Sequence, residues 1–269
     1  MARPKIGLAL SSGGARGMAH LGVIKVLKEA GIEIDYVAGS SMGSIVSVIL
    51  ANRLDLDLSE KLVAALRMKQ WIDLTVPKMG FVTGEKVTEL IRLLAHNKRI
   101  EELAIPTAIV ATDLVKGEPV VFKEGPIHLA VRASIAIPGI FEPVRLENQI
   151  LVDGGVIDRV PVSVVREMGA DFVIAVDVIP RVNKAKIKNI FDVIAQTLVI
   201  MEKEITNRCL PMADFLIHPD VADISPTAFN RMDECIKRGE LEARKMLPQL
   251  LELIENWQGE NARDEHESI

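Results

Sequence analysis

Aromatic residues are scarce: the 269-residue chain holds seven Phe, two Trp and one Tyr. Its core therefore has to be built from aliphatic side chains. Cysteine is rarer still. Cys209 and Cys235 make neither a disulfide framework nor a metal-ligand spacing. Two reduced thiols in a cytoplasmic protein are the expectation. No apolar run reaches the roughly eighteen residues that a membrane-spanning helix requires. "MARPKIGLALSS" has too short an apolar part for a signal peptide and leads directly into a strand and a glycine turn. Basic charge is also in deficit. Thirty-two Lys and Arg against 37 Asp and Glu leave a net charge of -5. That disfavours nucleic acid as a partner, because phosphate binding needs a basic surface.

What is present is an alternation of short apolar strands and helices. "KIGLALS" reads as a buried strand, "MAHLGVIKVLKEAG" as an amphipathic helix stopped by Gly31, and "IEIDYVAG" as a second strand. "SMGSIVSVILANRL" is an almost wholly apolar and hence buried helix. This spacing indicates a parallel sheet with crossover helices. Residues 55–98 look helical. "IPTAIVATDLV" and "EPVVFKE" are strands joined by a hairpin at Lys116-Gly117, and "PIHLAVRAS" is a short helix. "VRLENQILVDGG" is a strand pair, "PVSVVREMGA" a helix, "DFVIAVDVI" a buried strand and "ADFLIHPDV" the last strand. "IKNIFDVIAQTLVIMEKEITN" is expected to be a long helix. Apolar residues at three- and four-residue intervals predict one docked helix over 229–257, bent at Pro248. The polar segment 259–269 is expected to be disordered. With no internal repeat and no linker rich in Pro, Gly or Ser, one α/β domain with a mostly parallel sheet fits best.

Gly39-Ser40-Ser41-Met42-Gly43 matches G-x-S-x-G, with a strand before it and a helix after it. A nucleophile elbow requires that context. Ser41 is the candidate nucleophile; the alternative is a serine that caps the helix. Ser40 is the competing serine and reads as structural. None of the five histidines, His20, His96, His128, His218 and His266, sits in an evident catalytic loop, so each reads as structural. Asp153 in "LVDGG" ends an apolar strand, where a carboxylate can reach a serine on a neighbouring turn. The alternative is an Asp-Gly turn. "LSSGGARGMAH" joins a strand to a helix by a glycine turn that presents backbone N–H groups to an anion. That anion is either a phosphate or the oxyanion of an acyl-transfer intermediate. A P-loop is excluded because the Gly-Lys-Ser/Thr ending is missing. A dinucleotide fingerprint fits poorly because Ser12 stands at the first glycine position. Arg16 either pairs with a carboxylate to hold the loop or reaches an anionic substrate.

In this order, "SSGGARG", "GSSMG" and "DGG", with "RASIAIPGIFEPV" and "PVSVVREMGADFVIAVDV" around the last, resemble the patatin-like phospholipase family over roughly residues 6 to 180. The resemblance implies a three-layer α/β/α fold and an acyl hydrolase domain over residues 1–258. It implies a Ser41–Asp153 dyad without histidine, and Gly13, Gly14 and Ala15 as backbone donors to the oxyanion. Arg16 and Gly17 would support that loop, and Gly39 and Gly43 would be the elbow glycines. It implies acyl-ester lipids, phospholipids or lysophospholipids, as substrates, with no metal and no cofactor. Two residues depart from the family pattern. Ser12 replaces the first glycine of the usual triple, and Asp158-Arg159 stands where many relatives carry asparagines.

Residues 55–98 are candidate cap helices over an acyl pocket. Their apolar connector "WIDLTVPKMGFV" contributes Trp71, Val76, Met79, Phe81 and Val82, and simple core packing is the alternative. "RVNKAKIK", 181–188, is a candidate peripheral contact with an anionic bilayer, with a solvated loop as the alternative. An acyltransferase using the same serine, a regulatory lipid- or protein-binding member of the fold, and a nucleotide-binding module on the glycine loop are the competing functions. Nothing in the sequence fixes the oligomeric state.

Overall fold

The structure, a computed structural model, describes residues 3–65, 73, 79–180, 193, 197, 200, 201, 203–206 and 210–257. Trp71, Val76, Cys209, the 181–188 stretch and the 259–269 tail lie outside the described residues. The described residues of the long helix expected near 187–207 are helical.

Eight strands form one sheet. They are β1 (Ile6–Leu10), β2 (Tyr36–Ser40), β3 (Thr107–Asp113), β4 (Glu118–Phe122), β5 (Val144–Leu146), β6 (Gln149–Asp153), β7 (Phe172–Val176) and β8 (Phe215–Ile217). Their order is β5-β6-β3-β2-β1-β7-β8, with β4 also paired to β3. From β3 to β8 every pairing is parallel. β4, β5 and β6 are antiparallel additions. The sheet is thus mixed and mostly parallel.

Side chains alternate across a strand, and here the alternation sorts them by size. Leu8, Leu10, Val37, Ile109, Ile174 and Val176 face one core. Ala9, Ala38, Ala108, Val173 and Ala175 face the other. The larger set is covered by α1 (Ala19–Glu29), α2 (Met42–Ala51), α4 (Glu85–Leu94), α5 (Ile127–Ser134) and α7 (Met232–Glu255), with the end of α3 (Leu56–Ala65) at its margin. The alanine face lets α6 (Val162–Glu167) sit close. A Cβ on Gly7 would come within 2.1 Å of the Val165 side chain. Every residue of α2 but Leu50 is buried, as its almost wholly apolar sequence requires.

The crossing of α1 with α7 is tighter than side chains allow. A Cβ on Gly22 would lie 2.0 Å from the Ile236 carbonyl oxygen, and one on Gly239 would lie 2.0 Å from that of Ala19. The helices therefore touch backbone to backbone. Alanine at Gly239 gains about 1 kcal/mol of helix propensity but overpacks against a carbonyl that cannot rotate aside, at about 1–3 kcal/mol or more. The clash wins. Gly239→Ala is expected to lower unfolding free energy by about 1–2 kcal/mol in urea melts; an unchanged or raised midpoint would contradict this packing.

Candidate active site

β3 is the rail on which the site is assembled. Val110 pairs with Val121 of β4 and with Ser40 of β2, while Ala111 pairs with Val120 of β4 and with Asp153 of β6. A strand has two edges, and β4 occupies one of them for both residues. β2 and β6 therefore share the other, end to end. β2 leaves the sheet after Ser40, and β6 takes the vacated positions. Its final residue, Asp153, lands beside the residue that follows Ser40. The glycine after Asp153 is required by this junction: a Cβ on Gly154 would sit 2.2 Å from the Val110 carbonyl oxygen and 2.6 Å from Ser40 Oγ.

Ser41 has φ 53° and ψ -121° and precedes the first turn of α2. Such a backbone costs a non-glycine residue about 1–3 kcal/mol. Its side chain makes no capping hydrogen bond, which sets aside the simple helix cap. The turn is closed by missing side chains. A Cβ on Gly39 would approach the Gly43 carbonyl oxygen to 2.3 Å, and one on Gly43 would approach the Leu10 carbonyl oxygen equally closely, at 2.3 Å. The Ser44 hydroxyl donates to the Ser41 carbonyl at 2.6 Å. Ser40 is fully buried, and among the described residues its Oγ has no hydrogen-bond partner.

The Asp153 carboxyl is 6% exposed, and burial pushes its pKa from 3.8 up to about 6. Hydrogen bonding by the Ser41 side chain, the Gly155 N–H and the charge of Arg159 pull the other way. Gly155 N–H donates to Oδ1 at 2.8 Å. The carboxyl is thus ionised at neutral pH yet more basic than an exposed aspartate. Arg159 is itself buried, which lowers its pKa to about 10, but Asp177 and Asp153 hold it cationic. Neighbouring Asp158 is also raised to about 6, by burial and then by Glu167.

The glycine loop runs from β1 into a 3-10 turn, Gly14–Met18, ahead of α1. Ser12 N–H donates to the Arg159 carbonyl at 3.0 Å, so the serine that replaces the first glycine ties the loop to the segment after Asp153. Gly14 has φ 57°. Gly17 packs on the elbow, where a Cβ would meet the Met42 side chain at 2.6 Å. Two expectations need correction. The Ala15 N–H already donates to the Pro226 carbonyl, at 2.8 Å, so it is engaged by the protein itself. Arg16 is only partly buried, and its Nε donates to the Ile224 carbonyl, so a backbone carbonyl rather than the expected carboxylate takes this hydrogen. Residues 224–226 thus back the loop from a distant part of the chain, and no local pattern announces them.

His20 Nε2 donates to the Ser11 carbonyl at 2.8 Å, which leaves Nδ1 bare among the described residues. Burial drives its pKa down to about 4, so it is neutral. It braces the loop. His218 Nδ1 lies 3.6 Å from Asp177, at the ends of β8 and β7, beyond β1 from the elbow. Among the described residues no group of His, Cys, Asp and Glu could hold a metal ion. A groove of about 740 Å³ opens near Ile32, Ile34 and Ile105, at the opposite end of the sheet from Ser41. In open parallel sheets ligands bind at the carboxyl ends of the strands, and the elbow is at that end.

The fold is shared with solved structures at low identity. VipD from Legionella pneumophila aligns with a TM-score of 0.66 at 16% identity, over 92% of this chain and 67% of that one. The type III effector ExoU aligns at 0.52 and 15% identity, over 95% of this chain and 54% of its own. The sequence supplies the family: the model of the patatin-like phospholipases matches residues 8–166, more than half of the chain. The chain belongs to the patatin-like phospholipase family. An uncharacterized NTE family protein of Mycobacterium tuberculosis is 41% identical over 180 residues, covering 64% of this chain and 49% of the relative. A second from the same organism is 29% identical over 93% of this chain and 47% of its own length. Mouse patatin-like phospholipase domain-containing protein 6 is 34% identical over 64% of this chain and 13% of its own. The chain spans about half the length of the mycobacterial relatives.

The raised pKa of Asp153 has a thermodynamic sign. Between 3.8 and about 6 the folded state holds a proton that the unfolded state has lost. Stability therefore falls as pH rises through this window, by about 3 kcal/mol in all. Asparagine fills the same space without the charge. Asp153→Asn is expected to be more stable than wild type at pH 8, by up to about 3 kcal/mol, with the gap closing toward pH 4. Urea melts of both proteins at the two pH values check this; a gap that stays constant with pH would contradict a buried carboxylate.

Proposed function

We propose that this chain is a serine esterase that cleaves acyl esters of phospholipids or lysophospholipids through Ser41 and Asp153. The observation that carries the reading is the shared edge of β3. It sets a buried, basic carboxylate beside a serine held in a strained elbow. Asp153 takes the Ser41 hydroxyl proton as Oγ attacks the ester carbonyl. The N–H groups of Gly13 and Gly14 hold the oxyanion; one such donor is typically worth about 3–4 kcal/mol of barrier. The intermediate collapses to an acyl-enzyme, and the departing alcohol leaves with the proton from Asp153. Asp153 then deprotonates water, which attacks the acyl group. The acid departs, and Ser41 recovers its proton.

Contact with lipid is peripheral in this reading. No helix among the described residues is long and apolar enough to cross a membrane. Met79, Phe81 and Ile140 are exposed. The last two share a strand-like contact, Phe81 N–H donating to the Ile140 carbonyl at 2.9 Å, and Ile140 follows closely after Ala136, whose carbonyl accepts the Asp153 N–H. These side chains are suited to entering the acyl boundary of a bilayer.

A fluorophosphonate should add once to wild-type protein and not to Ser41→Ala, as read by intact mass. Hydrolysis of a short-chain nitrophenyl ester should fall by about 10⁴-fold in Ser41→Ala and by a comparable factor in Asp153→Asn. The base must be ionised, so the wild-type rate should climb about tenfold per pH unit below about 6 and level off above it. Asp158→Asn should leave that midpoint in place. Labelling that persists without Ser41, or a flat profile from pH 5 to 8, would sink the dyad. For the surface, Phe81→Ser with Ile140→Ser should release the protein from phospholipid vesicles in a flotation assay and spare hydrolysis of the soluble ester. Unchanged flotation would remove these residues from the lipid contact.

A further inference from the structure

α5 ends at Ser134, and the chain turns through Ile135 and Ala136 before leaving the sheet face. Two hydrogen bonds link this turn to the dyad. The Ser134 hydroxyl accepts the Ser41 N–H at 2.8 Å. The Ala136 carbonyl accepts the Asp153 N–H at 3.0 Å. The backbone amides of both dyad residues are therefore held by one three-residue segment.

The Ser41 amide needs this partner. Ser40 makes the last pairing of β2 with β3, so the next N–H has left the ladder. It is buried, and a buried donor without an acceptor costs about 1–3 kcal/mol. The φ of 53° at Ser41 persists only where the surroundings impose it. Gly39 and Gly43 leave room for the turn, but they give the Ser41 N–H no acceptor. The Ser134 hydroxyl accepts in the one direction that this backbone points its N–H. Ser134 is fully buried. The turn is itself fixed from outside. Arg132 donates from Nε and Nη2 to the Thr83 carbonyl, and from Nη2 to the Glu142 carbonyl. Its guanidinium also lies 5.5 Å from the centre of the Phe141 ring.

We propose that Ser134 is a positioning residue: with the Ala136 carbonyl it sets the separation and orientation of the nucleophile and its base. This rests on the serine–aspartate reading above. The bracket acts on Ser41 Oγ through the backbone, so its loss should slow chemistry and leave ester binding nearly unchanged.

Three substitutions separate hydrogen bonding from packing. Ser134→Cys keeps the volume but offers a weak acceptor. Ser134→Ala keeps neither. Ser134→Thr keeps the hydroxyl and adds one methyl group. Each folded variant is tested for the rate of fluorophosphonate labelling at Ser41 and for kcat and KM on the nitrophenyl ester, with the wild type alongside. Cys and Ala are expected to lose about 10- to 100-fold in labelling rate and kcat. KM should stay within about twofold, labelling should still reach one adduct per chain, and Thr should recover most of the rate. Ser134→Cys at the wild-type rate would overturn the bracket, because volume alone would then suffice. So would a loss in Ala that merely tracks the unfolded fraction, seen as labelling that stops below one adduct. If wild type takes no label, the dyad itself is wrong and the bracket falls with it.

Discussion

One edge of one strand holds the candidate site together. β3 offers seven residues to its neighbours, and β2 uses only the first part of that edge. The elbow is possible because β2 stops there, and Asp153 is in place because β6 starts its pairing where β2 stops. Ser40, the neighbour of Ser41, and Asp153 therefore face consecutive residues of β3, at the roughly 3.3 Å spacing of a strand. The strand register alone brings these two residues to adjacent positions. Slipping β6 by one residue would turn the Asp153 side chain to the other face of the sheet, so the register of a backbone ladder protects the chemistry.

The same packing supplies the electrostatics. An exposed aspartate is a poor base for a serine hydroxyl. Here burial raises it to about 6, and Arg159 together with the Gly155 N–H keeps the rise moderate. Balance matters: a carboxyl raised much further would be protonated at neutral pH and could not accept the proton. Neutral His20 contributes geometry, by fixing the Ser11 carbonyl beneath the glycine loop. Asp153 destabilises the fold in its working state, which is the usual relation between a buried functional charge and stability.

The alternation of elements, the elbow, the Asp-Gly-Gly end and the glycine loop are all legible in the sequence, because each is written in contiguous residues with its own period or spacing. Ser41 and Asp153 could be named for that reason. The supports could not. Ala15 and Arg16 look like loop residues open to an anion, and only the fold shows that the Pro226 carbonyl takes the Ala15 N–H and the Ile224 carbonyl takes the Arg16 Nε hydrogen. Ser134 lies in a stretch that reads as an ordinary helix end, yet its hydroxyl meets an amide 93 residues away. Hydrogen bonds to backbone carbonyls leave no trace in residue identity at the accepting end. Glycines do: the pairs at 39 and 43, and at 22 and 239, mark places where two backbones meet, although sequence alone names only one member of each meeting.

The brace of the glycine loop has a consequence for biosynthesis. A chain made from its N-terminus acquires the elbow at residue 41 and the aspartate at residue 153 well before residues 224–226 exist. It has still longer to wait for α7, which docks on α1 through Gly239. Contacts that span most of the chain close late. A nascent chain therefore carries Ser41 and Asp153 before it has the backing for its glycine loop. The order of synthesis itself delays assembly of the complete site until nearly the whole domain has emerged.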